Sequence, residues 1–453
     1  MKNPQVIFAY FLCALGFLIS AYWFYPGYMS YDAEIQLLQA LHFQFSNTHP
    51  PIMAFVWHYL ILLTPKGFSF ALVMFLFQLF LLWVSLALWV YLLAKKECCH
   101  LWLLPLVGLF PNIVILNAFI WKDVQMGNSL LLALTLWVLL REGVRTEYLK
   151  VIVAILMVLL VFYAFCLRHE AVLVCLPVFY LWAESLAGRK WFTRGLLTLG
   201  LLLTFSAGSW LFQKMLSTHE DYPAQQVMFY DLASLSIKEN RMLIPLDNCS
   251  HSSTCFEDVR KNYDPNSAIS ILTDFTMGVP TPAWFYQLKT PDFDVRPLQW
   301  TYDASRYQQL EIAWFHAIAD HPGLYLQERG RFFWGGLSYV KFFYGIKFMA
   351  LSHANFLGHL LFSVYGLLSG VFFFGFTMWF WFGLNIVMLF FLHIKADRSF
   401  FYVFVKAMLL SGLVLYLSHF IAAVTNEFRY SYWMMLATLF SFVLLFINRK
   451  TAA

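Results

Sequence analysis

Apolar residues run along this chain in long unbroken blocks rather than in alternation. Blocks at 6–24, 68–93, 101–120, 129–140, 151–166, 171–182 and 196–212 come first. Four more, at 356–374, 378–392, 401–424 and 432–447, follow a long polar stretch. A helix needs about 20 apolar residues to cross roughly 30 Å of hydrocarbon, and apolar neighbours extend the shorter blocks to that length. The pattern predicts an all-α polytopic membrane protein with about ten or eleven transmembrane helices. The run 51–63 is shorter, opens on Pro50-Pro51 and carries Trp57, His58 and Tyr59, so it predicts a helix lying at the interface.

Basic residues between the blocks orient the chain. Lys2, Lys95-Lys96, Arg141 with Arg145 and Lys150, Arg189-Lys190 with Arg194, and Arg449-Lys450 gather on one side, read as the cytoplasm. Segments 25–51, 121–128, 168–170 and about 214–352 then share the opposite face. In 356–392, a cytoplasmic Lys395 and Arg398 require an odd number of crossings, so one of the two runs there is re-entrant or interfacial. Three parts follow. Residues 1–213 form a transmembrane module of about seven helices, with its first outer loop at 25–66. Residues 214–354 form an extracytoplasmic domain, mixed or mostly helical, and 355–453 supply the C-terminal helices.

Composition narrows the class. Of 453 residues, 61% are hydrophobic and 12% charged, half the charge usual in a soluble domain. Soluble enzymes, disordered chains, coiled coils and disulfide-rich secreted modules are excluded. The net charge of +5 is a product of topology and implies no nucleic-acid partner; the lipid bilayer is the partner it does imply. No cleavage pattern follows the first apolar block, which reads as a retained helix. Cys249 and Cys255 share the polar segment and are a disulfide candidate in an oxidising compartment.

With so little charge available, the ionisable groups of the outer turns stand out. The first loop carries Tyr31, Asp32, Glu34 and Gln36, then His49. A carboxylate near the bilayer surface is a candidate base, although Asp32 alone reads as a cap of the helix beginning near Ala33, with Ser30 also suited to that place. The second outer turn carries Lys122-Asp123, the third Arg168-His169-Glu170, and the last Glu427, Arg429 and Tyr430. Four turns at one membrane depth, each pairing a cation with a carboxylate, predict a polar pocket at the membrane boundary. Such a pocket suits an acidic headgroup on a lipid tail, held by Lys122, Arg168 and Arg429. No nucleotide loop, HExxH, GxSxG or metal motif occurs, so no cofactor or metal is required; Asp32 and Glu34 alone could hold a divalent cation only thinly. Asp320-His321-Pro322 with Glu328, Arg329 and Arg331 reads as an amphipathic interfacial helix.

Asp32 after the first helix, His49-Pro50-Pro51 before an interfacial run, Lys122-Asp123 after the third block and Arg429-Tyr430 near the end recur in that order along the chain. In this the sequence resembles the GT-C membrane glycosyltransferases, a superfamily that includes protein O-mannosyltransferases and lipid A aminoarabinose transferases. The resemblance spans about the first 215 residues well and the C-terminal helices loosely. It implies sugar transfer from a polyprenyl-phosphate-linked donor to an envelope glycan or glycolipid acceptor of O-antigen or lipopolysaccharide type. It places the reaction on the periplasmic face of a bacterial inner membrane and makes Asp32 the base, with Glu34 beside it. The chain departs from better-known members in separating Asp32 and Glu34 by Ala33, and in having Lys122 where some have Arg. An O-antigen polymerase or ligase is the alternative of similar chemistry. A lipid-linked glycan flippase is the alternative of another class, though helix middles almost free of charge disfavour ion-coupled transport.

Overall fold

The computed structural model describes residues 3–187, 190–271, 296–338 and 377–449 except 396 and 398, together with positions 360, 363, 364 and 375. Among these residues the chain is a bundle of α-helices with two very short strands. Helices α1 (Pro4–Trp23), α4 (Phe70–Ala94), α7 (Lys122–Glu142), α8 (Glu147–Leu167), α10 (Trp191–Leu216) and α16 (Phe400–Ala422), with the stretch Phe428–Asn448, are the seven long and apolar enough to cross a membrane. That last stretch joins a 3₁₀ turn, Phe428–Ser431, to α17 (Tyr432–Arg449). Helices α9 (Ala171–Ala187) and α15 (Met378–Ile394) are apolar but 17 residues long. The chain is a multi-pass membrane protein. The run 356–374 lies almost wholly outside the described residues.

As expected, 51–63 does not span: α3 (Ile52–Leu62) has 11 residues and packs beside α2 (Tyr31–His42). The block 101–120 departs from expectation. It passes through the bundle as two seven-residue helices, α5 (Leu103–Leu109) and α6 (Pro111–Asn117), broken at Pro111. Proline lacks the N–H that would continue α5 and drives Phe110 to extended backbone (ψ 133°). A break in hydrocarbon leaves carbonyls that need partners, and it survives only when buried in protein. Where α6 ends in turn, Gln78 of α4 donates from Nε2 to the Asn117 and Phe119 carbonyls at 3.0 and 2.9 Å. Asn128 donates to Asn117 Oδ1 at 2.8 Å, Asn117 donates to Tyr432 Oη at 2.6 Å, and Tyr432 donates to Asn128 Oδ1 at 2.7 Å. This closed ring joins α6, α7 and α17 beneath the polar turns.

Small residues set other close approaches. A Cβ on Gly16 of α1 would run into the Trp83 ring of α4, and one on Gly108 of α5 would come within 2.8 Å of it. Trp83 thus fills the space left by two absent methyl groups.

Segment 217–338 stands outside the bundle and is mostly helical where described. Strand β2 (Ser217–His219) pairs in parallel with β1 (Phe45–Ser46), tying the segment to the first loop. Helices α11 (Gln225–Glu239), α12 (Cys255–Asn262) and α13 (Ala304–Asp320) close on a separate core that includes Phe229, Leu232, Val259 and Leu310. Cys249 and Cys255 are bonded as a disulfide. Helix α14 (Pro322–Ser338) is the stretch read from sequence as an amphipathic interfacial helix, and it has one exposed and one buried face. Arg329 and Glu328 are buried, Arg329 completely, and Phe333 packs on Tyr416 of α16 with ring centroids 5.0 Å apart.

Candidate active site

The first loop is held against the C-terminal end of the 101–120 run. Tyr28 N–H donates to the Ala118 carbonyl at 2.8 Å, and Ile120 N–H returns a bond to the Tyr28 carbonyl at 2.9 Å. Ser30 occupies the N-cap position of α2, but its hydroxyl accepts from the Trp121 indole N–H at 2.8 Å and makes no cap bond. Asp32, in the first turn of α2, does not cap it either. Its carboxylate crosses to the C-terminal part of the chain, where Arg429 donates to Oδ2 at 2.9 Å. Local sequence favoured the cap; a guanidinium 397 residues away takes the carboxylate instead.

The four polar turns meet at one end of the bundle. His49 Nε2 lies 3.7 Å from Asp32 Oδ1, and Lys122 Nζ lies 2.9 Å from His49 Nδ1. An ammonium only donates, so Nδ1 accepts and the imidazole carries its proton on Nε2, facing Asp32. Burial, followed by the neighbouring Lys122 charge, pushes the His49 pKa down to about 3, so the ring is neutral at any physiological pH. Burial pushes the Asp32 carboxyl up, yet the surrounding cations, Arg429 foremost, outweigh it and hold Asp32 well below the usual carboxylate range.

Each arginine is engaged by two carboxylates. Arg168 grips Glu170 with Nε and a terminal nitrogen, both at 3.1 Å, and its other terminal nitrogen pairs with buried Asp123. Burial opposes ionisation of Glu170, but Arg168 reverses this and leaves it far below its ordinary pKa. Arg429 pairs with Asp32 and with Glu427. The Tyr430 ring lies between the two guanidiniums, 4.6 Å from Arg168 and 5.1 Å from Arg429, and Trp121 lies 5.0 Å from Arg429. Lys122 differs from both arginines: among the described residues it has no carboxylate in ion-pair contact.

The remaining residues singled out by sequence fall around this core. Gln36 is buried and bonds the Asp32 carbonyl at 3.1 Å. His169 is exposed. Glu34 shares the first turn of α2 but sits two positions on, about 200° around the helix from Asp32. The Tyr31 side chain lies outside the described residues. Among those described, no three His, Cys, Asp or Glu side chains converge in a way that could hold a metal ion. His419 of α16 was not singled out by sequence, but its ring lies 5.9 Å from Tyr430, and its buried Nε2 has no hydrogen-bond partner among the described residues. Trp121, Ser30 and His419 carry no charge pattern that would have marked them. No protein-family model, curated protein sequence or solved structure matches this chain.

Proposed function

We propose that the protein is a membrane glycosyltransferase that moves a sugar from a polyprenyl-phosphate donor to an envelope glycan of O-antigen or lipopolysaccharide type. The observation that carries this reading is the convergence of Asp32, His49, Lys122, Arg168 and Arg429 at one end of an apolar bundle, beneath an extramembrane segment. A lipid-linked phosphate requires that combination of cations at the interface and hydrocarbon below them. The active face is read as periplasmic. The disulfide between Cys249 and Cys255 in the segment above the site suits an oxidising compartment, and the basic loops at the other end suit a cytoplasm.

The donor phosphate meets Lys122 first, because Arg168 and Arg429 are already committed to carboxylates. Asp32 in its pairing with Arg429 is a weak base. A phosphate drawing Lys122 and Arg429 toward itself raises the basicity of Asp32 as substrate binds. The acceptor hydroxyl then gives its proton to Asp32, its oxygen forms the new bond to the anomeric carbon, and the bond from that carbon to the phosphate oxygen breaks. Polyprenyl phosphate leaves with the electron pair, stabilised by the same cations. His49 holds the Lys122 ammonium and presents an N–H to Asp32 without carrying charge of its own.

Sugar transfer by purified wild-type protein and Asp32→Asn, offered a panel of polyprenyl-phosphate sugars and a cell-envelope glycan extract, tests this. Transfer by wild type that is lost in a folded Asp32→Asn supports it. Equal transfer by both removes Asp32 as base, and no transfer from any donor by wild type rejects the transferase.

A further inference from the structure

Arg329 lies outside the cluster around Asp32, on α14, and is 0% exposed; its partner Asp231 on α11 is 1% exposed. The guanidinium makes two separate commitments. One terminal nitrogen donates to Asp231 Oδ2 at 2.8 Å, and the other donates to the main-chain carbonyl of Ala423 at 2.7 Å. The Trp314 indole N–H steadies Asp231 at 2.9 Å. Ala423 is the residue that caps the end of α16. The last carbonyls of a helix have no partner within it, and a cation there also meets the negative end of the helix dipole. Methionine or leucine would fill the same volume. A fork bonded to an acid on one side and a helix-end carbonyl on the other also fixes direction.

Beyond Ala423 the chain lies along the extramembrane segment. Ala268 N–H donates to the Val424 carbonyl at 2.8 Å, and Asn426 N–H donates to the Asn266 carbonyl at 2.9 Å, with Ser267 and Thr425 forming an antiparallel bridge between them. The Asn426 side-chain amide donates to the Phe332 carbonyl of α14 at 3.3 Å. Gly336 lies opposite, where a Cβ would come within 2.7 Å of Asn426 Oδ1. Glu427 and Arg429 follow immediately, and Arg429 meets Asp32. The approach of Arg429 is therefore set from outside the membrane bundle.

We propose that Arg329 is a positioning residue for the site: held by Asp231, it anchors the Ala423 carbonyl so that 424–430 delivers Arg429 to Asp32. The consequence for catalysis rests on the transferase reading above; the geometry does not. The double variant Asp231→Asn with Arg329→Met removes both buried charges together and leaves an acceptor for Trp314, so no charge is stranded. Hydrogen exchange on the full-length protein in detergent micelles should then show the amides of 424–431 exchanging at least about tenfold faster, with α11 and α13 unchanged. Arg329→Lys, which keeps a charge beside Asp231 but has no second arm, should give the same local signature. Transfer by either variant should fall in kcat while the fold is retained. Unchanged exchange at 424–431, or an increase spread evenly over α11 to α14, overturns the proposal. Faster exchange confined to 424–431, in a protein whose wild type transfers no sugar, keeps the positioning role and rejects the transferase.

Discussion

Arg168 offers the sharpest quantitative check on the site's electrostatics. Its side chain is 9% exposed and lies between Asp123 at 2% and Glu170 at 15%. Arg168→Met keeps most of the volume and deletes the guanidinium, leaving both carboxylates buried without their cation. Breaking a buried pair from one side costs about 3–5 kcal/mol, and we expect a loss near 4 kcal/mol at neutral pH. The cost should depend on pH in a definite sense. In the wild type Glu170 titrates below its unfolded value of about 4.3, so its contribution is complete above that value and is lost only as pH falls further through the folded pKa. Without Arg168, burial raises Glu170 instead, and the variant takes up a proton on folding. The penalty should therefore shrink by about 1.4 kcal/mol for each pH unit below the variant's raised pKa. Equilibrium unfolding in mixed micelles, followed by tryptophan fluorescence at about pH 7 and about pH 5, measures both quantities. Adding Glu170→Gln to Arg168→Met should recover part of the loss at neutral pH. A penalty under about 1 kcal/mol, or one equal at the two pH values, would refute the reasoning.

Other expectations test separate parts of the structure. On the transferase reading, Lys122→Gln should raise the donor KM by roughly 30-fold with a smaller change in kcat, since a charge-assisted phosphate bond contributes about 2 kcal/mol; an unchanged KM would move the phosphate elsewhere. On the same reading, Glu34→Gln should retain most of the transfer that Asp32→Asn should abolish, which a side-by-side initial-rate assay decides. Asn128→Ala should destabilise the bundle by about 1–3 kcal/mol by stranding Asn117 and Tyr432, and a double-mutant cycle with Tyr432→Phe should show their coupling in the same unfolding assay. Cys249→Ser with Cys255→Ser should cost the extramembrane segment about 2 kcal/mol for a loop with a sequence separation of 6, read as an earlier loss of amide protection in α12.

The bundle was legible because its apolar blocks are long, and the site because charge is rare. In a chain this apolar, Lys122-Asp123, Arg168-His169-Glu170 and Arg429 could only gather where the helix ends meet, and they do. The break at Pro111 was hidden because 101–120 reads as one apolar run, and the side chain that meets the far end of α6, Gln78, lies 39 positions before Asn117. Arg329 was read, with Glu328 and Arg331, only as part of an amphipathic interfacial helix. Its burial depends on Asp231, 98 residues distant, and no local pattern announces such a partner. Asp32 was hard to place locally, since a carboxylate in a first helical turn reads as a cap and the Arg429 that takes it lies 397 residues away.

The meeting of Gly16, Gly108 and Trp83 has a mechanical consequence for α1. Most of that helix is not covered by other described residues, and Val6, Ala9, Cys13, Gly16 and Ser20 form its narrow buried stripe. An indole seated where a side chain is missing resists sliding along the helix axis more than it resists rocking. When bilayer thickness changes, α1 should answer by tilting about the Gly16–Trp83 contact, as a lever on a fulcrum, rather than by slipping past α4. Its upper end leads directly into the loop that carries Asp32, so the pivot converts a change in lipid length into a small displacement at the membrane boundary.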